Sequence, residues 1–185
     1  MVSDLLQDAR DRMGKSVQAL RNEFITLRTG RANPGLLDRV HVNYYGTSTP
    51  LKQLAQVGAP EPRLLTVTPY DKSVIKEIER SIAESDLGLN PANDGSTIRL
   101  PIPELTQDRR KDMVRIARTM AEEGRISVRN VRRDVMSTLK DMKKDGGLAE
   151  DDERRGETEV QKVTDEFIKE IDTALQSKEA EIMEV

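Results

Sequence analysis

The sequence predicts an α+β protein, built as an elongated antiparallel three-helix bundle with a small α/β domain inserted between its first and second helices. Apolar residues recur at steps of three and four in segments 3–28, 106–144 and 150–183, which is the period of a helix with one buried face. Segment 36–104 instead contains short alternating runs of β-branched and aromatic residues, separated by turn formers. Because no long helix can bury an apolar stripe alone, we expect the two ends of the chain to pack together.

The first segment predicts a helix over residues 3–28. Ser3 is its expected N-cap, since a serine oxygen can accept from the free amides of a first turn. Gly30 and Pro34 are expected to end the helix. Its apolar face consists of Leu6, Ala9, Met13, Val17, Leu20, Phe24 and Leu27.

The middle segment predicts three strands and one helix. The strands are expected at Arg39–Tyr45, Arg63–Thr68 and Ser96–Ile102, where β-branched or aromatic residues alternate with polar ones. Asp71 is expected to cap a helix over Asp71–Ser85, because an aspartate oxygen suits that position. We expect the apolar face of this helix to cover the sheet.

The last two segments predict two long helices joined by a tight turn. Thr106 is the expected N-cap of the second helix, and Gly146-Gly147 is expected to end it. Such a short connection makes the second and third helices antiparallel neighbours. The predicted domains are therefore a discontinuous bundle, residues 1–30 and 105–185, and an inserted α/β domain, residues 31–104.

Two short connections link the predicted domains, near Thr29–Arg31 and Pro103–Leu105. Gly30 supplies backbone freedom, while Pro101 and Pro103 prevent the second helix from running back into the sheet domain. Short connections without an obvious apolar interface allow relative motion, so we expect a hinge at these places.

Composition and motifs argue against several classes of protein. The chain contains no cysteine, which excludes disulfides, thiolate metal sites and cysteine nucleophiles. No apolar run reaches the ~18 residues of a membrane span, and the acidic, amphipathic beginning is unlike a signal peptide. The single histidine, His41, lies in a strand pattern, and neither a phosphate-binding loop nor a metal-ligand spacing occurs. We therefore expect a soluble, cytoplasmic protein that is not an enzyme, with no catalytic residues and no metal.

The second predicted helix carries a line of positive charge, formed by Lys111, Arg118, Arg125, Arg129 and Arg132. At about 100° per residue, all five fall within roughly 40° of one line. The whole chain has a formal net charge of −3, so a basic composition does not explain the line. Arginine suits phosphate because its planar fork can donate to two oxygens. The alternative is a solvated face whose arginines pair with acids, some from the acidic third helix, and charge alone leaves both interpretations open.

Several short motifs occur in a fixed order over nearly the whole chain. They are Arg28–Pro34 (RTGRANP), Tyr44–Gly46 with Thr49–Leu51, Asp86–Pro91 (DLGLNP), Leu105–Asp112 (LTQDRRKD), Val128–Asp134 (VRNVRRD), and Glu150–Arg155 with Gln161–Asp165. Each motif alone is weak evidence. The ordered set, together with the length of the chain, resembles the bacterial ribosome recycling factor family.

The resemblance implies a fold and a function. The fold is an L-shaped, tRNA-like molecule made of a three-helix bundle and an inserted α/β domain. The function is to bind the post-termination ribosome and, with the GTPase elongation factor G, to split it into subunits and release it from mRNA. A translation initiation factor then keeps the subunits apart. GTP belongs to the partner, so the chain itself is expected to have no cofactor. The chain is also expected to be a monomer.

The resemblance also implies roles for particular residues. Arg129, Arg132 and Arg133 match arginines of the family that meet large-subunit ribosomal RNA. With the charged line and the basic positions of the first motif, the residues expected to bind ribosomal RNA are Lys111, Arg118, Arg125, Arg129, Arg132, Arg133, Arg28 and Arg31. The hinge of the family maps to Thr29, Gly30, Arg31, Glu104, Leu105 and Thr106.

The chain departs from the family pattern in a few places, and an alternative function stays open. Gly124 and Ser127 replace alanines, and Gly124 should cost about 0.5–1 kcal/mol of helix stability. Ala149 replaces a serine cap, and Gln107-Asp108 replaces two glutamates. The alternative is a helical RNA-binding assembly or stress factor that acts without a GTPase; a metalloenzyme is not expected.

Overall fold

The structure is a computed structural model, and it describes residues 1–27 and 29–184. The chain divides into two compact units, one formed by Met1–Phe24 with Val114–Val185 and the other by Ile25–Met113. Both boundaries lie inside helices, whereas the predicted domain limits at residues 30 and 104 lie in the connecting loops. The predicted limits at residues 30 and 104 stay a prediction of where the two functional domains meet.

Five α-helices and six strands follow one another along the described chain. In order they are α1 (Val2–Thr26), β1 (His41–Tyr44), β2 (Thr47–Pro50), α2 (Leu51–Leu54), β3 (Ala55–Glu61), β4 (Leu64–Pro69), α3 (Ile75–Ala83), β5 (Ala92–Asn93), β6 (Ile98–Pro101), α4 (Gln107–Lys144) and α5 (Glu150–Met183). Within the described residues, no helix is long and apolar enough to cross a membrane.

Helices α1, α4 and α5 form the three-helix bundle that the sequence predicts. Contacts between α1 and α4 run in opposite directions, since Arg12 pairs with Asp134 and Ser16 with Ser127. Helix α5 is likewise antiparallel to α4, as the pairs Lys143–Glu153, Arg125–Asp172 and Arg118–Glu179 require. The predicted face of α1 is buried at Ala9, Met13, Val17, Leu20, Phe24 and Leu27. Periodicity therefore identified both the helices and their core sides.

The expected N-cap of the first helix is wrong. Helix α1 begins at Val2, so Ser3 lies inside its first turn. The carbonyl of Met1 accepts from the amide of Leu5 at 3.2 Å, and this bond extends the helical pattern past the serine.

The ends of α4 agree with the sequence. The Thr106 hydroxyl accepts from the amide of Arg109 at 3.2 Å, which satisfies a free donor of the first turn. At the other end Gly146 has a φ of +76°, and the amide of Gly147 donates to the carbonyl of Met142 at 2.9 Å. This left-handed cap needs glycine because a Cβ would be strained there.

Helix α5 begins at Glu150 without a side-chain cap, because Ala149 has no oxygen to offer. Its first turn instead contains four acidic residues, Glu150, Asp151, Asp152 and Glu153. Their carboxylates favour the positive end of the helix dipole, which compensates for the missing cap.

The second unit contains two antiparallel sheets. Strands β1 and β2 form a hairpin, and the larger sheet has the order β3-β4-β6-β5. Helix α3 contributes Ile78 and Ile82 to a core that it shares with both sheets and the segments beside them. The other fully buried side chains of this core include Leu37, Val42, Leu51, Leu65, Val67, Ile98 and Leu100. The predicted helix over the sheet is thus confirmed, and so is the predicted α+β fold class.

Sequence reasoning missed part of this unit. All three expected strands are present: β1 and β6 are shorter than predicted, and β4 is shifted by one residue. Strands β2, β3 and β5 were not predicted. Strand β3 lies at a sheet edge, where Pro60 and a bulge after Gly58 are tolerated. Asp71 caps a single 3₁₀ turn, accepting from the Ser73 amide at 2.9 Å, and α3 begins only at Ile75.

Candidate nucleic-acid interface

The line of positive charge lies on α4, and its arginines differ in how strongly acids neutralise them. Arg118 donates through Nε to Glu179 Oε1 on α5 at 2.6 Å. This hydrogen bond raises the pKa of Arg118. A guanidinium bound so closely to a carboxylate offers little net charge to phosphate, although its side chain is exposed.

Arg125 is the most enclosed member of the line, with a side chain that is 19% exposed. Its Nη2 and Nε donate to Asp172 Oδ1 at 2.7 and 2.9 Å, and its Nη1 donates to Glu122 at 3.0 Å. Burial lowers the pKa of Arg125, but the hydrogen bonds to these two carboxylates outweigh burial and raise it. Arg125 therefore serves the contact between α4 and α5.

Arg129 shares a carboxylate with Arg125. Its Nη1 donates to Glu122 Oε1 at 3.2 Å, while Oε2 of the same carboxylate accepts from Arg125. The hydrogen bond from Arg125, followed by that from Arg129, holds the pKa of Glu122 below its ordinary value. Only one of the two oxygens of Glu122 thus contacts Arg129, whose side chain is 42% exposed.

Arg132, which belongs to the line, and the neighbouring Arg133 face no carboxylate among the described residues. Arg132 donates to a neutral amide, Gln161 Oε1, at 3.1 Å. Arg133 is exposed and has no hydrogen bond or ion pair within residues 1–27 and 29–184. The neighbouring acid, Asp134, is turned to α1, where Arg12 binds it at 2.7 Å. Of the five arginines of α4 expected to bind RNA, these two are therefore the least neutralised.

The remaining predicted RNA ligands lie in the second unit or outside the described residues. Lys111 is exposed on the first turns of α4, and Arg31 is exposed in the loop after α1. Arg28 lies outside the described residues. The role of these residues in binding RNA stays a prediction.

The predicted hinge residues make specific contacts within the second unit. Thr29 is buried, and Gly30 has a φ of +81°, which favours glycine. Glu104 pairs with Arg63 at 2.6 Å, and Leu105 accepts a hydrogen bond from Arg110 at its carbonyl. Movement at these positions stays a prediction.

Neither His41 nor a cluster of acids forms a metal site in the described part of the chain. His41 is exposed, and its Nδ1 lies 3.1 Å from the carbonyl of Arg39. No group of three histidine, cysteine or acidic residues that could hold a metal ion occurs among the described residues.

Sequence reasoning placed Glu122 near Arg125 and Arg129, as observed, but it did not identify the residues of α5 that contact the arginines. Asp172, Glu179 and Gln161 come from α5, and only the general acidity of that helix indicated that such partners exist. The structure, and not the sequence, therefore shows that the charges of the α4 arginines are neutralised to different degrees.

Comparison with known proteins identifies the family. The sequence profile described as ribosome recycling factor matches residues 20–183. The chain belongs to the ribosome recycling factor family. The ribosome-recycling factor of Rubrobacter xylanophilus is 61% identical over 180 residues, which cover 97% of each chain. That of Carboxydothermus hydrogenoformans is 51% identical over the full length of both chains.

Solved structures of ribosome recycling factors agree with the fold. A solution structure of the ribosome recycling factor matches with a TM-score of 0.79 at 37% identity, covering 100% of this chain and 98% of that one. A second match has a TM-score of 0.70 at 47% identity and covers both chains fully. It belongs to models for the T. thermophilus ribosome recycling factor and the E. coli elongation factor G bound to the E. coli post-termination complex. The resemblance that the motifs indicated is confirmed.

Proposed function

We propose that the chain binds the post-termination ribosome and, with elongation factor G and GTP, promotes its dissociation into subunits and its release from mRNA. The observation that carries this proposal is full-length similarity to ribosome-recycling factors, at up to 61% identity among the relatives above. The relative bound with elongation factor G to a post-termination complex supports the choice of partners.

The bundle is the anchoring part in this proposal. Arg129, Arg132 and Arg133 are less neutralised than Arg118 and Arg125, and two of them face no carboxylate of their own. Phosphate oxygens can therefore approach them without displacing a strong ion pair. Large-subunit ribosomal RNA is the partner that the family motif around these arginines implies.

The mechanism is mechanical and makes or breaks no covalent bond in the chain. Elongation factor G acts on the unit Ile25–Met113 while the bundle stays on ribosomal RNA, and movement at residues 29–31 and 104–106 strains the contacts between subunits. GTP is consumed by the partner, and the chain uses no cofactor or metal. A translation initiation factor then keeps the subunits apart. Such a factor works in the cytoplasm, as a monomer.

Subunit splitting on post-termination ribosomes, followed by light scattering with elongation factor G and GTP, tests the proposal. Arg132→Glu and Arg133→Glu should each reduce the splitting rate at limiting factor by roughly tenfold or more, because each loses a phosphate contact and adds a repulsive charge. The anchoring role is wrong if both variants split ribosomes at the parent rate.

Arg154→Glu is the matched control. Arg154 lies on α5, its side chain is 71% exposed, and it pairs with Glu150 of its own helix. The same change of charge there should leave splitting nearly unchanged. Splitting that proceeds equally well without elongation factor G would favour the alternative of an RNA-binding factor that acts without a GTPase.

A further inference from the structure

Glu122 occupies a distinctive place among the acids that contact α4 arginines. Asp172 and Glu179 belong to α5, and their ion pairs with Arg125 and Arg118 join two helices of the bundle. Glu122 lies on α4 itself, its side chain is 51% exposed, and it joins no second helix. Its contribution to the packing of the bundle is therefore small, and another reason for its position is needed.

The two oxygens of Glu122 contact two arginines that differ in their other partners. Arg125, at 3.0 Å from Oε2, is held independently by Asp172 at 2.7 Å. Arg129, at 3.2 Å from Oε1, has no other hydrogen bond or ion pair in the described parts of the chain. Removing the carboxylate would leave Arg125 in place and would release Arg129 alone.

The position of Arg129 makes this release relevant to binding. Arg129 precedes Arg132 and Arg133 by one helical turn, so it borders the least neutralised part of the surface. A phosphate that binds Arg129 must displace Glu122 or approach it within a few ångströms. The first loses an exposed ion pair, and the second adds repulsion between like charges.

We infer that Glu122 sets the affinity of the α4 arginine surface for RNA phosphate, by competing for Arg129. This inference rests on the proposed function, since it concerns the same surface. An exposed carboxylate competes only weakly, so Glu122 lowers affinity without preventing contact. A factor that must leave the ribosome after each round needs such limited affinity.

The test is equilibrium binding of the full chain to purified large ribosomal subunits at several salt concentrations. Glu122→Gln should bind about three- to tenfold more tightly than the parent, and Glu122→Ala should bind at least as tightly because it also removes the acceptor. The slope of log affinity against log salt should steepen by up to about 0.7–0.9, the amount expected for one added phosphate contact.

Two controls separate competition for Arg129 from a general loss of negative charge. Glu123→Gln removes the same charge from the neighbouring exposed residue, about 100° around the helix, and should change affinity by less than about twofold. In an Arg129→Ala background, Glu122→Gln should bring no gain, because the arginine for which it competes is gone.

The outcomes distinguish this inference from the proposed function. Parent-like affinity of Glu122→Gln, an equal gain from Glu123→Gln, or a gain that persists with Arg129→Ala would each overturn the role of Glu122. If Arg132→Glu and Arg133→Glu bind subunits as well as the parent, the arginine surface itself is not used. In that case the proposed anchoring fails together with the inference.

Discussion

Three glycines inside the bundle helices provide a sharp test of how the helices pack. A Cβ added to Gly124 would lie 3.5 Å from Ile171 Cδ1 and 3.5 Å from Leu20 Cδ2, which are ordinary contact distances. Replacing glycine by alanine inside a helix gains about 0.8–1.0 kcal/mol. Partial burial of the new methyl group adds a few tenths of the roughly 0.8 kcal/mol of a fully buried one. We therefore expect Gly124→Ala to stabilise the bundle by about 1–1.5 kcal/mol.

Gly14 and Gly156 are matched controls in α1 and α5. A Cβ at Gly14 would have one neighbour, Phe167 Cε1 at 3.8 Å, so alanine there should bring about 1 kcal/mol from helix propensity alone. A Cβ at Gly156 would lie 3.1 Å from both methyl groups of Leu139, so this fully buried side chain would have to shift by a few tenths of an ångström. Overpacking costs about 1–3 kcal/mol, so Gly156→Ala should be neutral or destabilising.

Urea unfolding followed by far-ultraviolet circular dichroism measures these differences, because the long helices dominate that signal. A gain of 1–1.5 kcal/mol corresponds to a midpoint higher by about 0.4–1 M. Tyrosine fluorescence is an internal control, since Tyr44, Tyr45 and Tyr70 all lie in the unit Ile25–Met113 and the chain has no tryptophan. A lower midpoint for Gly124→Ala, or an equal gain for Gly156→Ala, would refute the packing argument.

Other consequences concern charge and salt. The hydrogen bond with Glu153 raises the pKa of Lys143, so this pair stabilises the bundle at pH values below the ordinary lysine pKa. Lys143→Met should therefore lower the thermal midpoint at pH 7. The difference in midpoint between the variant and the parent should shrink as the pH rises through the raised pKa of Lys143. Hydrogen bonds from the Ser96 and Thr97 amides lower the pKa of Asp94, so Asp94→Ala should destabilise the second unit at pH 7. This difference, read by tyrosine fluorescence, should begin to shrink below the ordinary aspartate pKa of about 3.9 and should be lost only as the pH falls through the lowered pKa of the folded chain. Ribosome affinity should fall steeply with salt, with a log–log slope of roughly −2 to −3 for three phosphate contacts in a filter-binding titration; a flat response would contradict the phosphate surface.

The helical part of the fold could be predicted because its signals are local. Steps of three and four marked the buried faces, and Thr106 and Gly146 marked the ends of α4 through cap chemistry that needs only neighbouring residues. The prediction of Ser3 as the N-cap was wrong because the carbonyl of Met1 accepts a helical hydrogen bond and so starts the helix earlier. The preference of serine for the cap position does not override an available backbone acceptor.

The missed strands and site partners depend on contacts that sequence does not specify. The segment of β3 reads AQVGAPE, with little alternation, and it becomes a strand only because β4 offers an edge to pair with. The partner of Arg125 depends on the register of α5 against α4. A shift of one residue would turn a different side chain toward Arg125, since each residue rotates by about 100°. The sequence indicated acids on α5 but not that Asp172 would be the one.

The edge position of β3 has a consequence for the chain when it is not bound to a partner. An exposed edge strand can pair with the same strand of another molecule and begin aggregation. In β3 the ring of Pro60 removes a backbone donor, and the register shift between Gly58 and Glu61 interrupts regular pairing. The opposite edge, β5, has only two residues, which is too short to act as a template. Both edges of the larger sheet therefore resist self-association.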